Sequence, residues 1–312
     1  MYDIIGDVHG QAGKLRALLA KLGYQVKDGA YRHPQGRQAL FLGDLIDRGP
    51  AQVEVINIVR NMIEAGSGRT IMGNHEWNAI GFAMRDPEGD EFMRPRTENK
   101  LKEHRAFLLQ VGLDSPLHKE LVAWFKTLPP VLDLGPIRLC HAWWNPVCID
   151  RIQEAMDANG ALGEEFMVQS FRRRSLPWEA MERVTKGYEI RLPGGITFLD
   201  HNEVARKDIR VRWWDESATA FRQAALVPAS ERERIPDIPL PATVKLGAAG
   251  NVPTFVGHYW LTGRPGVQNA TTAVLDYGAG LDGPLVAYRW DGEPQLSNDK
   301  LVWVGPEWEM QP

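Results

Sequence analysis

Five apolar segments of this chain end in aspartate, asparagine or histidine, and four of the five do so beside a glycine. The segments with their polar ends are IIGDVHG (4–10), FLGDLIDRG (41–49), IMGNHE (71–76), LCHA (139–142) and FVGH (255–258). Ligands of α/β sheets bind beyond the carboxyl ends of the strands, so these polar side chains are expected to converge on one site. Glycine lets the backbone turn sharply there and approach a ligand closely.

The first third of the chain alternates between strand and helix patterns. Strands are predicted at 2–5, 38–44 and 69–74. Apolar residues at helical spacing predict a helix with Leu15, Leu18, Leu19 and Leu22 on one face, and a second helix that ends at Ala65-Gly66. A third helix is expected from Asn99 to about Val111, and a fourth begins at Pro116 with Ser115 as its N-cap. Alternating strands and helices predict a sheet with helices on its faces.

The second half does not continue this regular alternation of strand and helix patterns. Residues 131–144 predict a hairpin with its turn at Gly135-Pro136, and residues 151–174 predict a helix. The proline-rich, charged stretch 228–241 indicates a surface loop or linker. Strands are predicted again at 254–258, 271–278 and 284–290. We expect one domain, 1–312, with a helical and loop insertion at about 145–245.

Composition excludes several classes of protein. A length of 312 residues with 44% hydrophobic and 24% charged residues is typical of soluble globular proteins. No apolar run approaches the roughly 20 residues that span a bilayer, and Asp3 and Asp7 interrupt any signal-peptide pattern. We therefore expect a cytoplasmic protein without a membrane partner, with Cys140 and Cys148 reduced. The net charge of −4 gives no general attraction to nucleic acid, and no stable nucleic-acid binding is expected.

The motifs GDVHG, GDLIDRG and GNHE, in this order and spacing, resemble the calcineurin-like metallophosphoesterases. Within them the chain resembles the bacterial type of the phosphoprotein-phosphatase branch, which contains Ser/Thr phosphatases and symmetrical dinucleoside tetraphosphatases. With the two later histidines, the resemblance covers residues 3 to about 278. It implies an α/β fold: a central β-sandwich flanked by helices on both outer faces, with a helical insertion in the second half.

The resemblance also implies a site that holds two divalent metal ions, with manganese expected first and iron, zinc, nickel or cobalt as alternatives. Mixed Asp, Asn and His ligands suit such borderline metals. Asp44 would bridge the two ions. The other implied ligands are Asp7 and His9 for the first metal, and Asn74, His141 and His258 for the second. His75 would be the general acid, oriented by Asp47, and Arg48 would bind the substrate phosphate together with Asn74.

The reaction implied is hydrolysis of a phosphate monoester by in-line attack of a metal-bridging hydroxide, with His75 protonating the leaving group. Symmetrical dinucleoside tetraphosphatases share the first motifs but lack an aspartate at the position of Asp47, so by this resemblance Asp47 favours the monoester reaction over cleavage of a dinucleoside tetraphosphate. The alternatives are a dinucleoside polyphosphate hydrolase, a phosphatase of RNA or nucleotide ends, and a non-catalytic binding protein on the same fold. The expected partner is a phosphorylated protein, nucleotide or RNA end.

Other residues have interpretations that the motifs do not decide. Glu76 is expected to orient its neighbours rather than to react. The remaining histidines, which are interpreted as structural or exposed, are His33, His104, His118 and His201. Five tryptophans either line the cleft or pack in the core, namely Trp143, Trp144, Trp213, Trp214 and Trp260. A second phosphate-binding arginine is open among Arg172, Arg173, Arg174, Arg210 and Arg212.

Overall fold

A computed structural model describes residues 1–200, 203–247 and 250–306. The strands are β1 (Tyr2–Ile5), β2 (Gln25–Lys27), β3 (Ala30–Arg32), β4 (Gln38–Phe41), β5 (Gly68–Thr70), β6 (Val131–Asp133), β7 (Arg138–Cys140), β8 (Glu189–Arg191), β9 (Phe198–Leu199), β10 (Ala205–Arg206), β11 (Asp208–Val211), β12 (Ala225–Leu226), β13 (Thr254–Val256), β14 (Thr272–Val274), β15 (Leu285–Trp290) and β16 (Leu301–Val304). The α-helices are α1 (Ala12–Leu22), α2 (Gln52–Glu64), α3 (Asn74–Ala83), α4 (Glu98–Glu103), α5 (Arg105–Val111), α6 (Pro116–Phe125), α7 (Pro146–Glu154), α8 (Glu164–Gln169), α9 (Leu176–Lys186) and α10 (Phe221–Ala224). Short 3-10 helices are Pro193–Gly195, Ala229–Arg234 and Asn298–Lys300.

Two sheets form the centre of the molecule. One has five strands in the order β16-β15-β1-β4-β5, and the other has four in the order β14-β13-β7-β6. Strands β1, β4 and β5 run parallel, as do β7, β13 and β14. Buried side chains of both sheets, including Ile4, Leu40, Leu139 and Phe255, belong to one apolar cluster. The expected β-sandwich is therefore confirmed.

Helices pack on the outside of this sandwich. Alternate residues of the strands, such as Ile5 and Phe41, turn away from the inner cluster and pack with the apolar faces of α1 and α2. On the other sheet, Cys140 and Val256 share the outer cluster with residues of α7 and α9. Because successive strand residues point to opposite faces, each sheet separates an inner from an outer apolar layer.

Several local predictions agree with the structure. Helix α1 buries the four predicted leucines and ends at Gly23, whose φ of 93° is left-handed. Helix α6 begins at Pro116, and the Ser115 side chain accepts a hydrogen bond from the His118 amide. Strands β6 and β7 form the predicted antiparallel hairpin.

Other local predictions are wrong. The strand predicted at 69–74 ends at Thr70, and Asn74 already begins α3. The helix predicted at 99–111 breaks at His104, where φ and ψ are −98° and 6°. The helix predicted at 151–174 is instead the end of α7, a turn and α8, and the three arginines at 172–174 lie in the turn before α9.

The predicted insertion lies between β7 and β13. It contains helices α7 to α10, as expected, and also a small sheet of β12, β11 and β8 that the sequence did not predict. These strands are short, and their apolar residues, such as Ile209 and Val211, pack in two small clusters of their own. That the whole chain is one domain stays a prediction.

A buried ion pair joins the first strands to the end of β15. Arg37 contacts Asp3 at 3.0 Å, and both side chains are almost fully buried. The same guanidinium donates to the carbonyls of Tyr2 and Trp290 at 2.7 and 3.1 Å. These partners of Arg37 therefore lie at the start of β1 and the end of β15, which pair in the five-stranded sheet.

Changing Arg37 to Met should lower the free energy of unfolding by about 3 kcal/mol, because it leaves Asp3 buried without its main partner. The value is at the lower end for a broken buried pair because Arg289 remains 3.3 Å from Asp3. Chemical denaturation measures the change. Arg191→Met, which breaks an exposed pair with Asp208, is the control and should cost less than about 1 kcal/mol. Equal losses in the two variants would contradict the assignment.

Candidate metal centre

Loops at the carboxyl ends of four strands bring the predicted site residues together. Asp7 and His9 follow β1, Asp44 follows β4, His141 follows β7 and His258 follows β13. Asn74 and His75 are the first residues of α3, which follows β5 after three residues. The convergence expected from the five polar segment ends is thus present in the fold.

The backbone of these loops is strained. Five site residues have φ in the left-handed region, which non-glycine residues rarely adopt: His9 (47°), Asp44 (48°), Asp47 (67°), Arg48 (70°) and His258 (70°). Each such conformation costs on the order of 1–3 kcal/mol and persists only where surrounding contacts fix it. Such strain is concentrated at functional sites.

Asp44 lies at the centre of the arrangement and is buried. Its Oδ2 is 3.6 Å from His9 Nε2, 3.2 Å from His141 Nε2 and 3.8 Å from His75 Nε2. Its Oδ1 accepts a hydrogen bond from the His75 amide at 2.9 Å. One carboxylate therefore faces three imidazoles from three different segments.

Two of these imidazoles have a defined orientation. His9 donates from Nδ1 to the Ile46 carbonyl at 2.7 Å, and His141 donates from Nδ1 to the Leu42 carbonyl at 2.6 Å. Each bond fixes the tautomer that leaves Nε2 as a lone-pair donor. Both Nε2 atoms face Asp44, as metal ligands would.

Asn74 and His258 complete the other side of the centre. Asn74 Oδ1 lies 3.1 Å from His141 Nε2 and 2.8 Å from His258 Nδ1. The His258 amide donates to Asp7 Oδ2 at 2.9 Å. Three buried atoms here have no hydrogen-bond partner among the described residues: Asp7 Oδ1, His9 Nε2 and His258 Nε2. Buried polar atoms normally have partners, so these three atoms fit a role as ligands of a cation.

Ligand atoms form two groups with spacing suitable for metal ions. One group is His9, Asp44 and His75, the other is Asp44, His141 and His258, and the atoms within each group lie within 4.8 Å of one another. Asp44 belongs to both groups, as a bridging ligand would. The first group contains His75, whereas Asp7 is the residue predicted from the sequence as a ligand of the first metal.

The electrostatics of the centre are those of several ionisable groups buried together. Burial raises the pKa of Asp7, and neighbouring Asp276 raises it further. Burial opposes ionisation of Asp44, but the imidazoles of His141 and His75 hold its pKa well below the ordinary value. Burial lowers the pKa of His9 to about 3, whereas the Asp44 and Asp7 carboxylates outweigh burial at His141 and raise its pKa to about 10. Such perturbed groups in one cluster mark functional sites.

Glu76 orients the loops, as the sequence analysis expected. Its two oxygens accept hydrogen bonds from the backbone amides of Asp44 (2.9 Å), Leu45 (2.8 Å) and Gly73 (2.9 Å). The side chain is fully buried, and burial raises its pKa to about 7. Glu76 therefore joins the loop after β4 to the loop after β5.

His75 has a partner on one ring nitrogen and an open side on the other. Its Nδ1 lies 2.6 Å from Asp47 Oδ2, and its side chain is 14% exposed, whereas His9 and His141 are fully buried. Asp47 Oδ1 accepts a second bond, at 2.7 Å, from His104 Nδ1. Burial opposes ionisation of Asp47, but these two histidines hold its pKa below the ordinary value.

His104 is the residue that sequence reasoning missed. It was interpreted as structural or exposed. It is buried, which excludes the exposed alternative, and its contact with Asp47 was not predicted. Its position three residues before Phe107 and seven before Val111, both buried, puts a polar side chain on an apolar helical face. That pattern was the available signal.

Arg48 is exposed beside the centre, with its guanidinium carbon 3.9 Å from the ring centroid of half-buried Trp260. The other four tryptophans of interest are buried in the core, at most 7% exposed: Trp143, Trp144, Trp213 and Trp214. Of these five rings, Trp260 is thus the one that lies against a proposed phosphate-binding residue.

The remaining arginines and histidines are also placed. Arg172 pairs with Asp86 at 2.5 Å, and Arg212 donates to the Gln223 carbonyl. Arg210 lies near enough to His258 for its charge to reinforce the lowering of the His258 pKa by burial. His33 contacts Arg289, and His118 is buried with Nδ1 accepting from the Asp114 amide. His201 lies outside the described residues.

Within the residues that the structure describes, no helix has the length and apolar character needed to cross a bilayer.

Comparisons with known proteins agree with this geometry. Residues 2–223 match the family model of the calcineurin-like phosphoesterases. Bis(5'-nucleosyl)-tetraphosphatase PrpE (asymmetrical) of Bacillus velezensis is 50% identical over 143 residues, which are 45% of this chain and 55% of that protein. The protein of the same name from Bacillus subtilis is 49% identical over 74 residues, 24% of this chain and 30% of that one. The matched segments thus span from about a third to about half the length of these relatives.

Among solved structures, a cold-active protein-tyrosine phosphatase of a psychrophilic Shewanella species aligns with a TM-score of 0.50 and 17% identity. The alignment covers 97% of this chain and 76% of that one, and at this identity it shows the fold alone. The family match covers most of the chain and includes the motif residues from Asp7 to His141. The chain therefore belongs to the calcineurin-like phosphoesterase family.

Proposed function

We propose that this chain is a metal-dependent phosphatase that hydrolyses phosphate monoesters and protonates the leaving oxygen from His75. The observation that carries the proposal is the 2.6 Å bond between His75 Nδ1 and Asp47 Oδ2, with His75 Nε2 turned toward the metal centre. An alkyl or peptidyl alkoxide is a poor leaving group, so its departure depends on a placed proton donor.

Two divalent cations would be held by Asp7, His9, Asp44, Asn74, His141 and His258. When bound, they supply charge stabilisation to a phosphoryl group and acidify water. The donor set fits them, because it offers imidazole nitrogens, carboxylates and one amide oxygen, with three of these atoms unpartnered. Manganese suits such a set, as do iron, zinc, nickel and cobalt.

The proton-transfer role falls to the His75 and Asp47 pair. Asp47 accepts from Nδ1, which leaves Nε2 as the nitrogen that gives a proton to the substrate. The Asp44 and Asp47 carboxylates outweigh burial and raise the pKa of His75, which favours the protonated ring. The partial exposure of His75 lets a leaving group reach it.

Phosphate binding falls to Arg48 and Asn74. Arg48 offers a planar fork of donors for phosphoryl oxygens, and the Trp260 ring beside it favours a fixed guanidinium plane. Arg210, from the insertion, is the best placed of the arginines considered for a second contact. Its charge acts on His258, and it forms an ion pair with Glu189 at 3.5 Å, which it would share with a bound phosphate.

A second candidate substrate is a dinucleoside polyphosphate. The observation in its favour is the identity of up to 50% to tetraphosphatases over the matched segments. The nucleotide released from an anhydride is a better leaving group than an alkoxide and depends less on His75. The two candidates therefore differ in how strongly turnover depends on the general acid.

A substrate panel tests the reaction class. Purified protein with added Mn²⁺ should hydrolyse an aryl phosphate and a phosphopeptide faster than a dinucleoside tetraphosphate or a 3'-phosphorylated oligonucleotide, as measured by phosphate or nucleotide release. Removal of the metal with a chelator should abolish turnover.

Unchanged activity after complete chelation would contradict the two-metal centre. Preference for the tetraphosphate would replace the first candidate by the second, and preference for the oligonucleotide would favour an RNA-end phosphatase. Absence of turnover on every substrate, with metal bound, would favour a non-catalytic binding protein.

Changing His75 to Asn should separate acid catalysis from metal binding. Turnover of an alkyl phosphate should fall by about 10²–10⁴, the usual contribution of general acid catalysis, and a nitrophenyl phosphate should lose much less. Metal stoichiometry, measured on the dialysed protein, should stay at the wild-type value. Loss of one metal in this variant would instead make His75 a ligand of the first group.

Gly257 keeps the space that Asp7 occupies. A Cβ at this position would overlap Asp7 Oδ1, one of the unpartnered atoms. Gly257→Ala should therefore displace Asp7 and weaken Mn²⁺ binding at least about 10-fold in a calorimetric titration. Gly13→Ala is the matched control, because a Cβ there meets nothing within 4 Å. Wild-type Mn²⁺ affinity in a folded Gly257→Ala protein would contradict Asp7 as a ligand.

A further inference from the structure

Asp47, whose carboxylate bonds to His75, also bonds to His104 through its other oxygen. Asp47 is 3% exposed, and each of its oxygens contacts one imidazole: Oδ2 is 2.6 Å from His75 and Oδ1 is 2.7 Å from His104. A carboxylate that accepts one hydrogen bond on each oxygen has a fixed plane. Rotation of Asp47 would break both bonds and leave polar atoms buried without partners, which is unfavourable.

His104 has one polar contact, and its ring is packed on two sides. Its Nδ1 bonds to Asp47 Oδ1, and its Nε2 has no partner among the described residues. The bond to Asp47 is therefore the hydrogen bond that orients the ring. Because a carboxylate only accepts, Nδ1 carries the proton. Phe82 and Phe107 lie 5.4 and 5.0 Å from the ring, centroid to centroid. The ring therefore has little freedom to turn away.

The chain around His104 is shaped for this contact. The backbone leaves the helical conformation at His104, between α4 and α5, and the side chain turns inward at this break. One and a half turns later, Gln110 of α5 accepts a hydrogen bond from the Gln52 amide at 2.8 Å. Gln52 in turn accepts from the Asp47 amide at 2.6 Å. The segment from His104 to the end of α5 thus supports the Asp47 loop twice, directly through His104 and through Gln52 from Gln110.

We propose that His104 is a positioning residue for the acid step: by donating from Nδ1 to Asp47 Oδ1, it fixes the carboxylate plane that orients His75. The proposal rests on the proposed function, because it gives His104 an effect only through His75. Nothing in the motifs GDLIDRG and GNHE contains this residue, which lies 28 positions after the second of them.

The test uses two substitutions of equal polarity. In His104→Asn the amide nitrogen takes the position of Nδ1 and keeps the bond to Asp47, whereas in His104→Gln it lies one carbon farther out and loses that bond. On an alkyl phosphate, His104→Gln should lose about 10-fold in kcat, while His104→Asn stays near the wild-type value. On a nitrophenyl phosphate, both should stay near wild type.

His118→Asn is the matched control, because His118 is also buried and packs against Phe107 but makes no contact with Asp47. It should change both substrates equally or not at all. Equal losses for His104→Asn and His104→Gln, or equal losses for both substrates, would overturn the proposal. Thermal unfolding of each variant confirms that the compared proteins are folded.

A double substitution distinguishes failure of the His104 proposal from failure of the proposed acid step at His75. If His104 acts through His75, adding His104→Gln to His75→Asn should cause no further loss on the alkyl phosphate. A further 10-fold loss would overturn the role of His104 and leave that of His75 intact. If His75→Asn itself loses equally on both substrates, the proposed acid step is wrong, and the inference about His104 is wrong with it.

Discussion

The contacts of the buried Asp44 carboxylate with three imidazoles hold the candidate site together. Its side chain faces three imidazoles, and its own backbone carbonyl accepts from the amides of Val8 and His9 at 3.2 and 2.8 Å. Its amide is bound in turn by Glu76. A single residue therefore fixes the positions of the loops after β1 and β4 and the start of α3. Removal of its side-chain charge would leave the three imidazoles without their common anionic partner, whereas the backbone bonds to Val8 and His9 would remain.

The two sheets of the sandwich contribute different halves of the site. Residues after β1 and β4 come from one sheet, and His141 and His258 come from the other. The bond between the His258 amide and Asp7 joins positions 251 residues apart in sequence. Because the ligands converge only when both sheets have packed, a complete centre requires the whole sandwich. A cation bound there would link the sheets and add its binding free energy to the stability of the fold.

Polar residues at strand ends are a local, repeated signal, and from them the sequence predicted that these side chains converge at one edge of an α/β fold. The sandwich itself and the ligand roles came from the resemblance to the metallophosphoesterases, and the ligand roles stay a prediction. Sequence reasoning predicted less well where tertiary contacts override local propensity. Asn74 sits in an apolar strand-like run, yet the Glu76 carboxylate caps a helix there. The break at His104 coincides with a hydrogen bond to Asp47, 57 residues earlier. The local pattern shows a polar residue on an apolar helical face but does not reveal this partner. The strands of the insertion have two to four residues each, which is too few for an alternation of apolar and polar residues to be recognised in the sequence.

The left-handed backbone at His9, Asp44, Asp47, Arg48 and His258 has a consequence for attempts to stabilise this protein. Glycine would adopt these conformations without strain, and it would also remove the side chains that hold the centre. The most stable sequence for this fold and the most active one therefore differ at the same positions. Selection for thermal stability alone would therefore favour variants without activity. The flanking Gly10 and Gly43, whose φ values of 64° and 88° are left-handed, already allow the turns of these loops without strain. Gains in stability have to come from residues outside these loops.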